Sequence, residues 1–277
     1  MISASLAVFV FAIPLALGCS PLTRRSEVEG APKWTYEATA DWGNLDPGEH
    51  SSHMLDIAQS PIHLRLDQGL SSNVKVSFDY PRNVKGILTN GGHGPSFAID
   101  HREGDYTSLP ATTFEIDGKN ETVYLASWHT HTPGEHIVSG VRTMAELHFV
   151  HVDAKGEYRS VVGFRIHPGA ENFESPFFGQ LPKYVGANET EGEMSAEVDH
   201  SLALEQVSHL KDFWTYQGSL TSPPCKEGLR WFVAREVLFV SDVQMQDLLQ
   251  VSSFSAREEQ DIWRHGVARE ESGAGGS

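Results

Sequence analysis

The stretch SWHTHTPGEH at residues 127–136 places two histidines one residue apart, directly after a tryptophan. Side chains of a β-strand alternate between its two faces, so His129 and His131 share a face, about 7 Å apart along the strand. His136 has the opposite parity and follows a Pro-Gly pair, which makes it a poor partner for the other two. The stretch therefore predicts a strand that presents two ligands to one metal ion.

A second run, AELHFVH at residues 145–151, has matching periodicity. Glu146 and His148 share one face of this predicted strand, and His151 points away. A turn around residues 139–140 can fold the run back antiparallel to the first, which brings His148 opposite the pair. A single histidine on an apolar strand is usually a core residue, but the two runs in phase favour a metal site. Three imidazoles without a thiolate or carboxylate are typical of an open, catalytic zinc site.

The chain around these runs has the pattern of a β-protein. Short apolar or alternating runs stand between Gly, Pro and Asn residues, at 74–78, 122–126, 146–152 and 160–166. Helical periodicity is confined to residues 244–249 and 256–263. The prediction is a mainly β (α+β) fold over residues 34–265, a single domain on a large, twisted, mostly antiparallel central sheet with a few short peripheral helices.

Composition narrows the class of function. The chain has 277 residues, 39% of them hydrophobic and 21% charged, which is ordinary for a globular protein. Its formal net charge of −16 argues against nucleic acid as a partner, because phosphate binding needs a basic patch. Only Cys19 and Cys225 are present, so the chain is neither a disulfide scaffold nor a cysteine-ligated zinc protein. A small-molecule substrate is expected, and the sequence does not indicate an oligomeric state.

The two ends of the chain are predicted to lie outside the domain. Residues 1–19 contain an apolar run and small residues near a cleavage position, which predicts a signal peptide and a secreted protein without stable membrane insertion. An uncleaved membrane anchor, or a lipid anchor on Cys19, is the alternative. Residues 20–33 are predicted to be a flexible lead-in and residues 266–277 a flexible tail. Asn-x-Thr sequons at Asn120 and Asn188 fit a glycoprotein.

Taken in order, these motifs resemble the α-class carbonic anhydrases. The family's zinc segments correspond here to WHTH at residues 128–131, EH at 135–136 and ELHFVH at 146–151, and WTYQGSLTSPP at 214–224 is similar to a further family segment. Shorter matches are found at residues 34–36, 42–43, 59–62, 88–91, 231 and 263–264. The resemblance covers residues 34–264. It implies reversible hydration of carbon dioxide to bicarbonate and a proton by zinc-bound hydroxide.

The resemblance also implies roles for individual residues. The Zn²⁺ ligands are His129, His131 and His148, the catalytic residues are Glu135, Thr221 and His93, and Glu146 orients His148. Thr221 is expected to orient the hydroxide and to be oriented itself by Glu135, while His93 is expected to shuttle protons. The remaining positions line the substrate pocket or order its water, and they are Tyr36, Val150, Val161, Leu220, Ser222 and Trp231.

Three departures from the family pattern bear on these expectations. Ser127 stands where the family usually has Gln two residues before the first zinc histidine, so its contact with His129 is expected to need a water. The segment around His93 carries extra residues, which leaves its reach to the site open. Cys225 occupies the second position of a disulfide common in secreted members, but the first position lacks a cysteine. Cys225 is therefore either free or paired with Cys19.

Two other functions remain open at the level of sequence. One is a catalytically silent, zinc-stabilised binding module of the same fold. The other is a zinc hydrolase that acts mainly on esters, because the same hydroxide can attack an activated ester.

Overall fold

The computed structural model describes residues 35–44, 57–68, 74–116, 118–170, 173–183 and 192–267. The predicted signal peptide, the lead-in, Cys19, the sequon at Asn188 and most of the predicted tail lie outside the described residues, and the domain boundaries stay predictions. None of the helices in the described ranges is long and apolar enough to cross a membrane.

Strands dominate the described part of the chain. They are β1 (Lys75–Asp79), β2 (Val84–Asn90), β3 (Pro95–Ile99), β4 (Ala111–Ile116), β5 (Lys119–His131), β6 (Ala145–Val152), β7 (Tyr158–Pro168), β8 (Glu193–Val198), β9 (Phe213–Ser219), β10 (Glu227–Ala234) and β11 (Leu238–Val240).

The strands join into one sheet. Its main path runs β8-β2-β3-β5-β6-β7-β10-β9, while β1 pairs with β4, β4 with the first half of β5, and β11 with β7. All pairings are antiparallel except those of β7 with β10 and β11. The sheet is large, twisted and unclosed, which confirms the predicted fold class.

The centre of the sheet separates two buried faces. β6 is buried over its whole length, because Glu146, His148 and Val150 face the front of the sheet, while Leu147 and Phe149 face the main core behind it. The reversal between β5 and β6 passes through Ser139 and Gly140, whose φ angles are 48° and 81°. The predicted turn therefore lies where the sequence indicated it, and it sets the two strands antiparallel.

The helices are short and lie at the periphery. They are α1 (Pro176–Gly179), α2 (Ser201–Glu205) and α3 (Asp242–Gln250), with 3-10 turns at Tyr36–Asn44, Leu66–Gln68, Tyr106–Ser108 and Ser208–Leu210. α3 contains the predicted helix at residues 244–249. It begins with a capping box, in which the side chains of Ser241 and Gln244 each accept a hydrogen bond from the other's backbone N–H.

The predicted helix at residues 256–263 is wrong. This segment forms no helix, since its backbone donors bond to distant parts of the chain instead of to each other. The N–H of Arg257 donates to Glu135, and the N–H of Gln260 donates to the carbonyl of Pro61. Ala256 and Arg257 are buried, but Ile262 and Trp263 are exposed, so the apolar residues of the segment do not form one buried helical face.

Candidate metal centre

Two adjacent strands carry the three predicted metal ligands. His129 and His131 lie on β5, and His148 lies directly opposite His129 on β6. Glu146 lies opposite His131 in the same register. Since alternate residues of a strand share a face, this register places all four side chains on the front of the sheet.

The three imidazoles converge. Their ring centroids lie 4.8 Å apart for His129 and His131, 5.3 Å for His129 and His148, and 4.6 Å for His131 and His148. The Nε2 atoms of His129 and His131 are 3.0 Å apart, and one nitrogen from each of the three rings lies within 4.8 Å of the others. All three side chains are buried. The three nitrogens can therefore hold one metal ion.

The second nitrogens of two of these rings are already engaged. His131 Nδ1 donates to the carbonyl oxygen of Ser255 at 2.6 Å, and His148 Nε2 donates to Glu146 Oε1 at 2.9 Å. These bonds leave His131 Nε2 and His148 Nδ1 as lone-pair acceptors at the point of convergence. A set of three neutral imidazoles suits zinc and leaves a coordination position for solvent, so the residues present fit the metal.

Burial keeps the ligand rings neutral. It lowers the pKa of His129 well below its usual value, and the neighbouring rings lower it further. It lowers the pKa of His131 to about 4, and it also lowers that of His148. Only neutral imidazole binds a metal, so these shifts prepare the cluster for that role at neutral pH.

Glu146 joins the ligand cluster to the surrounding structure. Its Oε2 accepts the backbone N–H groups of Glu135 at 2.9 Å and His136 at 2.8 Å, and its Oε1 accepts His148 Nε2 and His136 Nδ1. Burial disfavours its charge, yet His136 and His148 hold the pKa of Glu146 well below its usual value. The structure thus places Glu146 where it orients His148 as an ionised acceptor.

Glu135 borders the point of convergence. Its Oε2 lies 3.6 Å from His131 Nε2 and 4.0 Å from His148 Nδ1, while its Oε1 accepts the backbone N–H of Arg257. Burial raises the pKa of Glu135 to about 7, against the opposing effects of His148, Arg257 and the Thr221 hydroxyl. Thr221 itself is buried in the loop between β9 and β10. The structure therefore brings both residues to the ligand cluster.

The Ser127 hydroxyl makes no hydrogen bond to the first predicted ligand, His129. Ser127 is buried two residues before His129 on β5, but its hydroxyl has no hydrogen-bond partner among the residues that the structure describes. A direct bond from Ser127 to His129 is therefore absent.

The predicted pocket residues form a wall beside the cluster. Val150, Val161 and Trp231 are neighbours across β6, β7 and β10, and all three are buried. The Trp231 ring lies 4.9 Å from the His148 ring. Leu220 and Ser222 flank Thr221 in the buried loop that follows β9. The wall is apolar apart from the Ser222 hydroxyl.

His93 and Tyr36 lie near one another and near the cluster. Their ring centroids are 5.1 Å apart, and the Tyr36 ring is 6.0 Å from that of His131. His93 is half-buried, and this burial lowers its pKa, while the nearby carboxylate of Glu37 acts in the opposite direction. The residues inserted around His93 therefore leave it beside the cluster.

The family of the chain follows from comparison with known proteins. A profile described as eukaryotic-type carbonic anhydrase matches residues 39–269. The chain belongs to this family. That assignment agrees with the resemblance drawn from the motifs.

Individual relatives in the carbonic anhydrase family share moderate sequence identity with this chain. A carbonic anhydrase of Klebsiella pneumoniae is 28% identical over 83% of this chain and 86% of its own length. Dioscorin dioA3 of Dioscorea japonica is 31% identical over 83% of this chain and 79% of its own. Among solved structures, the α-carbonic anhydrase of Thermovibrio ammonificans in complex with sulfanilamide has a TM-score of 0.67, with 28% identity over 86% of this chain and 99% of that one.

In this carbonic anhydrase family member, several residues of the site were not predicted from the sequence. The parity of His136 makes it a poor metal ligand, and the sequence indicates no other role for it. In the structure it bonds to Glu146 and, through Nε2, to the hydroxyl of Tyr216 at 2.8 Å. That hydroxyl donates in turn to Ser60 Oγ at 3.1 Å. The motifs EH, QSP and WTY contain these residues, and that was the available signal. Ser255 carried no such signal.

Proposed function

We propose that this chain is a zinc enzyme that interconverts carbon dioxide with bicarbonate and a proton. The observation that carries the proposal is the convergence of three buried, neutral imidazoles beside Glu135, in a chain of the carbonic anhydrase family. His129, His131 and His148 would hold the metal. When bound, zinc supplies a positive charge that lowers the pKa of water to about 7, an effect for which carbonic anhydrase is itself the standard example.

Glu135 and Thr221 would direct the nucleophile. A hydroxyl group can accept the nucleophile's proton only if its own proton points elsewhere. An ionised carboxylate accepts hydrogen bonds and donates none, so Glu135 fixes the direction of the Thr221 proton. A cation in the adjacent cluster favours the ionised form of Glu135, which offsets the effect of its burial.

The apolar wall would hold the substrate. Carbon dioxide has neither charge nor hydrogen-bond donor, so Val150, Val161, Leu220 and Trp231 offer it a weakly binding surface. Weak binding is adequate, because tight ground-state binding does not raise kcat. The product bicarbonate is charged and is poorly held by the same surface, which favours its release.

His93 would carry the proton to solvent. Each turnover leaves one proton to export, and an imidazole titrates in the physiological range. The ring lies beside Tyr36 at the edge of the site, half-buried and close to the exposed Glu37. Both ring nitrogens are shielded from solvent in this position, so exchange with the buffer would require the His93 side chain to rotate.

The protein is further proposed to be secreted after removal of residues 1–19. The uncharged apolar run at residues 6–17 supports this location, and the exposed sequon at Asn120 is compatible with a glycoprotein. Mass spectrometry of protein recovered from the medium of a secreting host tests both features. A mature N-terminus that still includes the apolar run would contradict them.

Zinc analysis combined with stopped-flow assay of carbon dioxide hydration tests the activity. We expect one zinc per chain and hydration well above the uncatalysed rate. Thr221→Ala should keep the zinc and lose about 100-fold or more in kcat/KM, as expected for removal of one preorganised hydrogen-bonding group. Thr215→Ala, at a buried threonine of β9 outside the cluster, is the matched control.

Two outcomes would contradict the proposal. Stoichiometric zinc without hydration activity would identify a silent binding module, a possibility favoured by one observation: a 31% identical relative is named dioscorin and not carbonic anhydrase. A kcat/KM for activated esters above that for carbon dioxide would instead identify an esterase.

A further inference from the structure

The loop that carries His93 joins β2 to β3, and within it the side chain of Asn90 accepts the N–H of Gly92 at 2.9 Å. Gly92 and Gly94 stand on either side of His93, with φ angles of 96° and 152°. Glycine in this region of φ has wide conformational freedom, so the loop sequence alone does not determine where the ring lies. Contacts from elsewhere in the chain add to this local restraint.

Those contacts come from residues 251–257, here called the serine strap, which follow α3 without regular secondary structure. The side-chain amide of Asn90 donates to the carbonyl of Val251 at 2.6 Å. Ser253 Oγ donates to the carbonyl of Gly92 at 2.5 Å, and Ser255 Oγ donates to that of His93 at 3.4 Å. Each residue that bonds the loop is more than 160 positions away from it in the sequence.

The same strap also holds the metal cluster. The carbonyl of Ser255 accepts a hydrogen bond from His131 Nδ1. The N–H of Ser255 donates to the carbonyl of Thr132 at 2.9 Å, and the N–H of Thr132 donates to Ser255 Oγ at 3.0 Å. The N–H of Arg257 donates to Glu135. One segment of seven residues thus sets the loop of His93 at a defined position relative to His131 and Glu135.

We propose that Ser253 is a positioning residue for proton export, acting through His93. This inference rests on the proposed function, in which His93 carries the proton away. Ser253 is exposed, and its hydroxyl holds the carbonyl that directly precedes His93. Proton transfer depends steeply on the distance between donor and acceptor, so a freed loop exports protons more slowly. The attack on carbon dioxide does not involve His93 and keeps its rate.

Ser253→Ala is the variant that tests this role. Loss of one hydrogen bond should reduce kcat at low buffer concentration about two- to fivefold and leave kcat/KM unchanged. Added imidazole should restore kcat, because it replaces the intramolecular carrier. Ser253→Thr keeps the hydroxyl and should behave as wild type. Ser252→Ala is the matched control, since the hydroxyl of Ser252 donates to Leu248 and not to the loop.

A double variant shows whether Ser253 acts through His93. His93→Ala alone should lower kcat at low buffer by at least about tenfold. Adding Ser253→Ala to it should change nothing further, because the group that Ser253 positions is gone. A further loss in the double variant would overturn the proposal.

Other results would also overturn it. An unchanged kcat in Ser253→Ala of an active enzyme refutes the role of Ser253 alone. A parallel fall of kcat and kcat/KM would mean general damage to the site, and an equal loss in Ser252→Ala would mean loosening of the whole strap. An inactive wild-type protein that contains zinc refutes the proposed function, and with it the role of Ser253.

Discussion

β6 carries histidines on both faces, and the two faces differ in what surrounds them. On the front, one ring nitrogen of His148 lies within 4.8 Å of one ring nitrogen from each of two other histidines. On the back, His151 Nε2 lies 2.7 Å from the hydroxyl of Tyr80 and 3.1 Å from that of Thr112. Nearby, His200 packs against the rings of Phe149 and other aromatic residues of the core.

Burial and a lowered pKa are common to both faces. Burial lowers the pKa of His131 to about 4 on the front, and those of His151 and His200 to about 3 on the back. These properties alone would therefore place a site on either face. Convergence of three ring nitrogens distinguishes the front, and the neighbours of each ring decide its role.

The largest expected effect comes from breaking the front cluster. His131→Ala should weaken zinc binding by more than the roughly 10- to 100-fold that loss of an outer partner costs, because a direct ligand is removed. Hydration activity should disappear with the metal. Zinc content after dialysis against a chelator, together with stopped-flow kinetics, measures both.

His151→Gln is the matched control on the back face. Its side chain can still bond to Tyr80, so zinc content should stay at the wild-type value. If His151→Gln loses zinc as His131→Ala does, or if His131→Ala retains it, then the front face is not the one that holds the zinc.

A smaller effect is expected at Glu146, which acts on the metal through His148. Glu146→Gln keeps the shape of the side chain but removes its charge, so the hydrogen bond from His148 weakens. Zinc affinity should fall about 10- to 100-fold. Competition with a fluorescent chelator measures this change. Glu121→Gln, which breaks an exposed ion pair with Arg159, is the control and should not change the affinity.

The smallest expected effect concerns His200, near the back face of β6, and the pH dependence of stability. The pKa of His200 is lowered by burial from 6.5 to about 3, so the unfolded chain binds a proton there that the folded chain does not. The stability contributed by neutral His200 is therefore fully present above pH 6.5 and is lost as the pH falls toward 3. In His200→Leu, the free energy of unfolding should depend less steeply on pH in this window, by up to about 1.4 kcal/mol per pH unit.

Urea denaturation at several pH values between 3.5 and 6.5 measures this slope. No hydrogen bond confounds the substitution, because neither ring nitrogen of His200 has a hydrogen-bond partner among the described residues. An identical slope in wild type and variant would show that His200 accepts its proton in the folded state.

The parts of the site that lie on regular strands were predictable from the sequence. Period-two alternation indicated that His129 and His131 share a face, and the in-phase run on β6 indicated that His148 joins them. The structure adds the register that places His148 opposite His129. The motifs in chain order indicated the family before any fold was known.

The contacts between distant segments were not predictable in this way. Ser255 bonds His131 across 124 positions, and Arg257 bonds Glu135 across 122. Alternation reports which face a residue occupies, but it does not report which irregular segment will cover that face. The same limit explains the error at residues 256–263, where apolar spacing resembled a helix although the backbone donors are used by remote acceptors.

Glu146 accepts hydrogen bonds both from His148, a proposed metal ligand, and from the backbone of Glu135, which is proposed to direct the nucleophile. The proposed retention of the metal and the proposed alignment of the nucleophile therefore depend on the same carboxylate. A laboratory selection for altered zinc affinity at this position should also alter turnover. Independent adjustment of the two properties will have to come from substitutions elsewhere.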